Sequence, residues 1–123
     1  MILGKVNAGR EAVVQIVVLN ESKQTKVVNA LIDTGYTGDL MLPKGTIQAL
    51  QLSLRGVQEA TLGDESVAIF EIYTGSVIWD GAIKKVEINA SEVSALIGMG
   101  LIENFKLEIE GKLDGQVKLS MLV

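Results

Sequence analysis

The chain contains no histidine and no cysteine among its 123 residues. Without cysteine there is neither a disulfide nor a thiolate nucleophile. Without histidine the commonest general base and metal ligand is missing, and zinc loses its usual nitrogen and sulfur donors. No glycine-rich phosphate loop carrying a lysine is present. The acidic turns are scattered and do not form the dense oxygen loop that calcium requires. No metal and no cofactor is therefore expected. Aromatic residues are only 4% of the chain and there is a single proline, so the core must be mostly aliphatic. Basic residues are few and dispersed, the net charge is −4, and Lys84-Lys85 is the one adjacent basic pair. That argues against nucleic acid as a partner, and the pair reads as a solvated strand or turn. No apolar run approaches the roughly 20 residues that span a bilayer. Met1-Ile2-Leu3-Gly4-Lys5 lacks the charged and apolar regions of a signal peptide. The expectation is a cytoplasmic protein with no membrane partner.

What remains is informative. Apolar residues make up 48%, and there are thirteen glycines. This composition, in a chain without a linker or low-complexity segment, predicts one domain over residues 1–123, built of short strands and tight turns. Ala12 to Leu19 is β-branched and nearly continuous, as for a strand buried on both faces. Lys26 to Ile32 forms a hairpin with it across Asn20–Gln24. Asp39 to Leu42 is a short strand stopped by Pro43, and a short helix follows over Lys44 to Leu52. Val57–Leu62 and Val67–Tyr73 flank the turn Gly63-Asp64-Glu65-Ser66. Ser76 to Trp79 runs into the turn dipeptide Asp80-Gly81, and a further strand carries Ile83, Val86 and Ile88. Val93 to Ile97 ends at Gly98, with a short helical turn after it. Phe105, Leu107 and Ile109, and then Val117, Leu119 and Met121, alternate with polar residues as half-buried strands do. There is a weak internal echo: Leu31-Ile32 and Leu96-Ile97 both end an apolar strand close to glycine.

The chemistry concentrates in Ala30-Leu31-Ile32-Asp33-Thr34-Gly35-Tyr36-Thr37-Gly38. An apolar strand delivers one carboxylate into a loop that glycine allows to turn tightly. Alone, Asp33-Thr34-Gly35 is also compatible with an ordinary Asx-turn at a strand end. A lone carboxylate, with its reference pKa near 3.9, is a poor base at neutral pH. Two carboxylates about 3 Å apart cannot both ionise; they share a proton, and one serves as base while the other serves as acid. The motif occurs once, so a second carboxylate of this kind must come from a second copy of the chain. Asp64, Asp80 and Asp114 each sit in a turn near glycine, which accounts for them, and Asp39 reads as a strand-edge residue.

Leu31-Ile32-Asp33-Thr34-Gly35-Tyr36-Thr37-Gly38 resembles the active-site motif of the retropepsin-like aspartic proteases, the single-lobe, clan AA relatives of pepsin, and in particular their bacterial members. Asp39-Leu40-Met41-Leu42-Pro43 resembles the bacterial continuation. Ala95-Leu96-Ile97-Gly98-Met99-Gly100-Leu101-Ile102 is similar to the family's second element, an apolar pair and glycine before a short helix. The hairpin around Leu62-Gly63-Asp64-Glu65-Ser66 lies between the two, where the family carries its flap. The resemblance spans roughly residues 10 to 120. Met99 and Thr37 stand where viral members carry an ion pair, which this chain lacks.

The resemblance implies an all-β fold: a small closed barrel with one or two short helices, forming a C2 homodimer with its site on the two-fold axis. It implies an aspartic endopeptidase acting on peptide or protein substrates, with Asp33 catalytic and Thr34 and Gly35 forming the active-site loop. Leu31, Tyr36, Leu62, Gly63, Asp64 and Ile97 would belong to the substrate-binding walls and flap. Val117 to Val123 is the candidate interface segment. Two other readings stay open from sequence. One is a non-catalytic dimeric peptide-binding or scaffolding module on the same fold. The other is a monomer, inactive until a partner supplies the second carboxylate.

Overall fold

The computed structural model describes residues 1–61 and 63–123; Leu62, expected at the hairpin tip, lies outside the described residues. Among the described residues, ten strands and two short helices follow one another: β1 (Ile2–Val6), β2 (Ala12–Leu19), β3 (Thr25–Ile32), β4 (Leu40–Pro43), α1 (Lys44–Ala49), β5 (Ser53–Thr61), β6 (Val67–Trp79), β7 (Ala82–Ser91), β8 (Ala95–Ile97), α2 (Met99–Ile102), β9 (Phe105–Ile109) and β10 (Gln116–Met121). None of the described helices is long and apolar enough to cross a membrane.

Six strands form a closed barrel, in the order β2-β3-β8-β4-β7-β6, because β6 pairs back onto β2. The expected all-β barrel with two short helices is therefore present. β3 fills one edge of β2. The other edge is divided: β1 takes Ala12–Val14 and β6 takes Val17–Leu19. From β1 the sheet continues outward through β10 to β9, and β5 extends it from β6. Closing the ring removes two exposed edges that would otherwise invite pairing with other chains.

Strand alternation sets the core. Val14, Ile16 and Val18 of β2 point inward to meet Leu40, Leu42, Val77, Ile88 and Ile97, all buried. Burial of each such side chain contributes about 1.5–3 kcal/mol. The opposite face of β2 differs from the two-sided burial that its apolar run predicts. Gln15 is exposed, and Val13 and Val17 are only half-buried. Residue type on that face reflects strand propensity rather than core packing.

Two further elements differ from the sequence expectation. The stretch read as a hairpin arm followed by a separate strand is one 13-residue strand, β6. Its first half pairs with β5 and its second half closes the barrel on β2. The β6–β7 connection is the two-residue turn Asp80-Gly81, between the paired Trp79 and Ala82, with both φ angles positive (52° and 80°). That is the turn chemistry this dipeptide favours. Pro43 ends β4 and caps α1 at φ −56°, a backbone angle its ring already imposes.

Candidate active site

β3 carries Asp33 to one end of the barrel. It is held on both edges: antiparallel to β2 and parallel to β8, with Ala30, Leu31 and Ile32 opposite Ala95, Leu96 and Ile97. The internal echo in the sequence is thus a spatial neighbourhood, two like strands side by side. The ladder runs one residue past β3, because the Asp33 N–H donates to the Ile97 carbonyl at 2.9 Å.

The loop then turns sharply. The Gly35 N–H donates to Asp33 Oδ1 (2.9 Å), and the Tyr36 N–H donates to the Asp33 carbonyl (3.2 Å). The Asx-turn geometry and a catalytic carboxylate are compatible here, since the turn occupies Oδ1. Asp33 is half-buried, while Thr34 and Gly35 are exposed.

The second element locks onto this loop through its backbone. Met99 N–H donates to the Tyr36 carbonyl (2.8 Å), Gly98 N–H to the Asp39 carbonyl (3.0 Å) and Gly100 N–H to the Gly38 carbonyl (3.0 Å). Such approach needs glycine. A Cβ on Gly98 would lie 2.2 Å from the Gly38 oxygen, and one on Gly100 would lie 2.2 Å from Asp39 Oδ1. Asp39 serves this joint structurally, its Oδ2 accepting the Glu87 N–H at 3.0 Å.

The predicted site residues are not all in one place. A cleft of about 830 Å³ is lined by Asp33 and by the apolar Leu31, Ile32, Leu96 and Ile109, with Arg10, Glu11 and Lys112 among its charged groups. Leu31 is therefore at the cleft. Ile97 is fully buried in the core and Tyr36 is half-buried behind the loop, and neither lines that cleft. Gly63 and Asp64 lie in the β5–β6 turn, where Asp64 Oδ1 accepts hydrogen bonds from the Ser66 N–H (3.0 Å) and hydroxyl. Those bonds hold the Asp64 carboxyl below its ordinary value. Tyr36 is pushed up to about 12, chiefly by burial and further by the neighbouring Asp39 and Glu87 carboxylates. Its hydroxyl thus stays protonated and available as a donor.

Sequence reasoning missed the turn Asn7–Glu11 and the turn Gly111–Leu113, both of which line the cleft. They meet because β1 pairs with β10 and the Val6 backbone bonds to Gly115 and Asp114. This pairing joins the two ends of the chain, and no local pattern announces it. Asn89 was missed too, although an asparagine between Ile88 and Ala90 in a strand is itself a signal. Among the described residues, no three His, Cys, Asp or Glu side chains converge as a metal site requires.

No protein-family model matches the chain, and no curated protein matches it in sequence. Among solved structures it is similar to a retropepsin-like aspartic protease from Rickettsia conorii. The TM-score is 0.61 and the identity 21%, over 97% of this chain and 90% of that one. With a closed barrel, a carboxylate-bearing loop at its end and a glycine element locked onto that loop, the chain has the retropepsin-like fold.

Proposed function

We propose that the protein is an aspartic endopeptidase in which Asp33 from each of two copies activates one water. One carboxylate takes a proton from the water as it attacks the peptide carbonyl. The other donates a proton to the developing oxyanion, and proton transfer to nitrogen then releases the amine. No covalent intermediate forms. Thr34, exposed beside Asp33, would bond across the paired loops. The β5–β6 hairpin would close over an extended peptide held by backbone pairing and side-chain pockets, Leu31 forming part of one.

The observation that carries this reading is the joint between the two loops. Asp33 is fixed by Ile97 at its own N–H and by Gly35 at Oδ1, while it borders a cleft with apolar walls. Such a rigid carboxylate is suited to precise proton transfer. Asp33→Asn keeps the shape and the Gly35 bond but loses the acid and the base. The expected result is a roughly thousandfold or greater loss of peptide cleavage, with the oligomeric state unchanged by light scattering. Cleavage retained by the purified variant overturns the proposal.

A further inference from the structure

The proposed chemistry leaves one partly buried polar cluster without a role. The Tyr36 hydroxyl donates to Asn89 Oδ1 at 2.6 Å, and the Leu40 carbonyl lies farther off at 3.3 Å. Asn89 sits near the C-terminal end of β7, opposite Ile72 of β6 and beside Met41 of β4. Its amide nitrogen faces the Glu71 carbonyl at 3.4 Å. Glu71 belongs to the part of β6 that pairs with β5. One chain of polar contacts therefore runs from the Asp33 loop to the stem of the β5–β6 hairpin.

The tyrosine ring does a second job. A Cβ on Gly38 would lie 2.4 Å from the Tyr36 hydroxyl oxygen, and one on Gly98 would lie 2.5 Å from Tyr36 Cδ2. The ring is wedged where the two arms of the joint cross. Its own backbone bonds to both sides, to the Asp33 carbonyl and to the Met99 N–H. A purely apolar wedge would not need an asparagine facing it from a strand, where asparagine is disfavoured.

We propose that Tyr36 is a positioning residue for Asp33, and that its bond to Asn89 couples the Asp33 loop to the hairpin stem. This rests on the reading of Asp33 as catalytic for its effect on rate, but not for its effect on the loop. Tyr36→Phe keeps the wedge and deletes the hydroxyl. Asn89→Leu removes the acceptor at similar volume.

Amide hydrogen exchange on each single variant and on the double variant is the test. The expected result is about tenfold faster exchange at Gly98, Met99 and Gly100 in either single variant. The double variant adds little more, and the β1–β10 ladder is unchanged. On a peptide that the wild type cleaves, kcat falls with KM little altered. Unchanged loop amides, or equal acceleration throughout the chain, overturn the proposal. If Tyr36→Phe does not fold, Asn89→Leu decides by the same amides. A wild type that cleaves nothing counts against the proposed hydrolysis alone, since the exchange pattern still decides the positioning role.

Discussion

Tyr36 shows how one side chain can be read for chemistry and then found doing mechanics. Its place in the motif predicts a wall of the substrate pocket, yet its hydroxyl points at Asn89 and its ring fills the crossing of two glycine-bearing segments. The position in the motif was legible, but the direction of the side chain depends on β7, which sequence proximity does not reveal. The same burial has a consequence at high pH. The neutral form is favoured in the fold, so the ordinary value of 10.0 rises to about 12. The stability tied to neutral Tyr36 is therefore complete below pH 10 and is lost as pH climbs toward 12. Denaturant midpoints measured from pH 8 to 12 should fall across that window, and the fall should be shallower in Tyr36→Phe. An equal fall in both proteins would place the alkaline transition on other groups.

Among the elements, those with strong local signals were readable. The hairpin of β2 with β3, the Asp80-Gly81 turn, the strand ending at Gly98 and the alternating β9 and β10 all follow from apolar spacing and turn residues. The unity of β6 was not readable, because Thr74-Gly75 looks like a break but continues the ladder with β7. The parallel contact of β3 with β8 was visible only as a faint echo, since parallel pairing is inherently non-local. Just past that contact, a single methyl should be costly. Gly98→Ala drives a Cβ into the Gly38 carbonyl and the Tyr36 ring. It should cost about 2–3 kcal/mol or more, as overpacking against backbone does. Gly45→Ala in α1 meets nothing within 4 Å and should be neutral or gain up to about 1 kcal/mol. Urea unfolding of the two variants gives both signs in one experiment.

For the whole molecule, the question is what a second copy would touch. Val117 and Leu119, in the segment expected to form the interface, are fully buried in the chain's own core. Deleting that segment would unfold the protein rather than separate subunits. Exposed apolar residues nearby include Leu3 (51%), Ile109 (47%), Met121 (63%) and Leu122 (58%), on β1, on β9, at the end of β10 and just after it. A dimer built on this surface should dissociate when Met121 or Leu122 becomes lysine, and peptide cleavage should disappear at the same protein concentration. Sedimentation that shows an unchanged dimer would place the contact elsewhere. The joint at Gly98 also has a temporal meaning. About half of the chain separates Asp33 from Ile97 and Met99, the residues whose backbone holds its loop. During synthesis the motif leaves the ribosome early and its partner element late. The Asp33 carboxylate is made first, and nothing aims it until most of the protein exists; on the proposed hydrolase reading, the nascent chain would be spared.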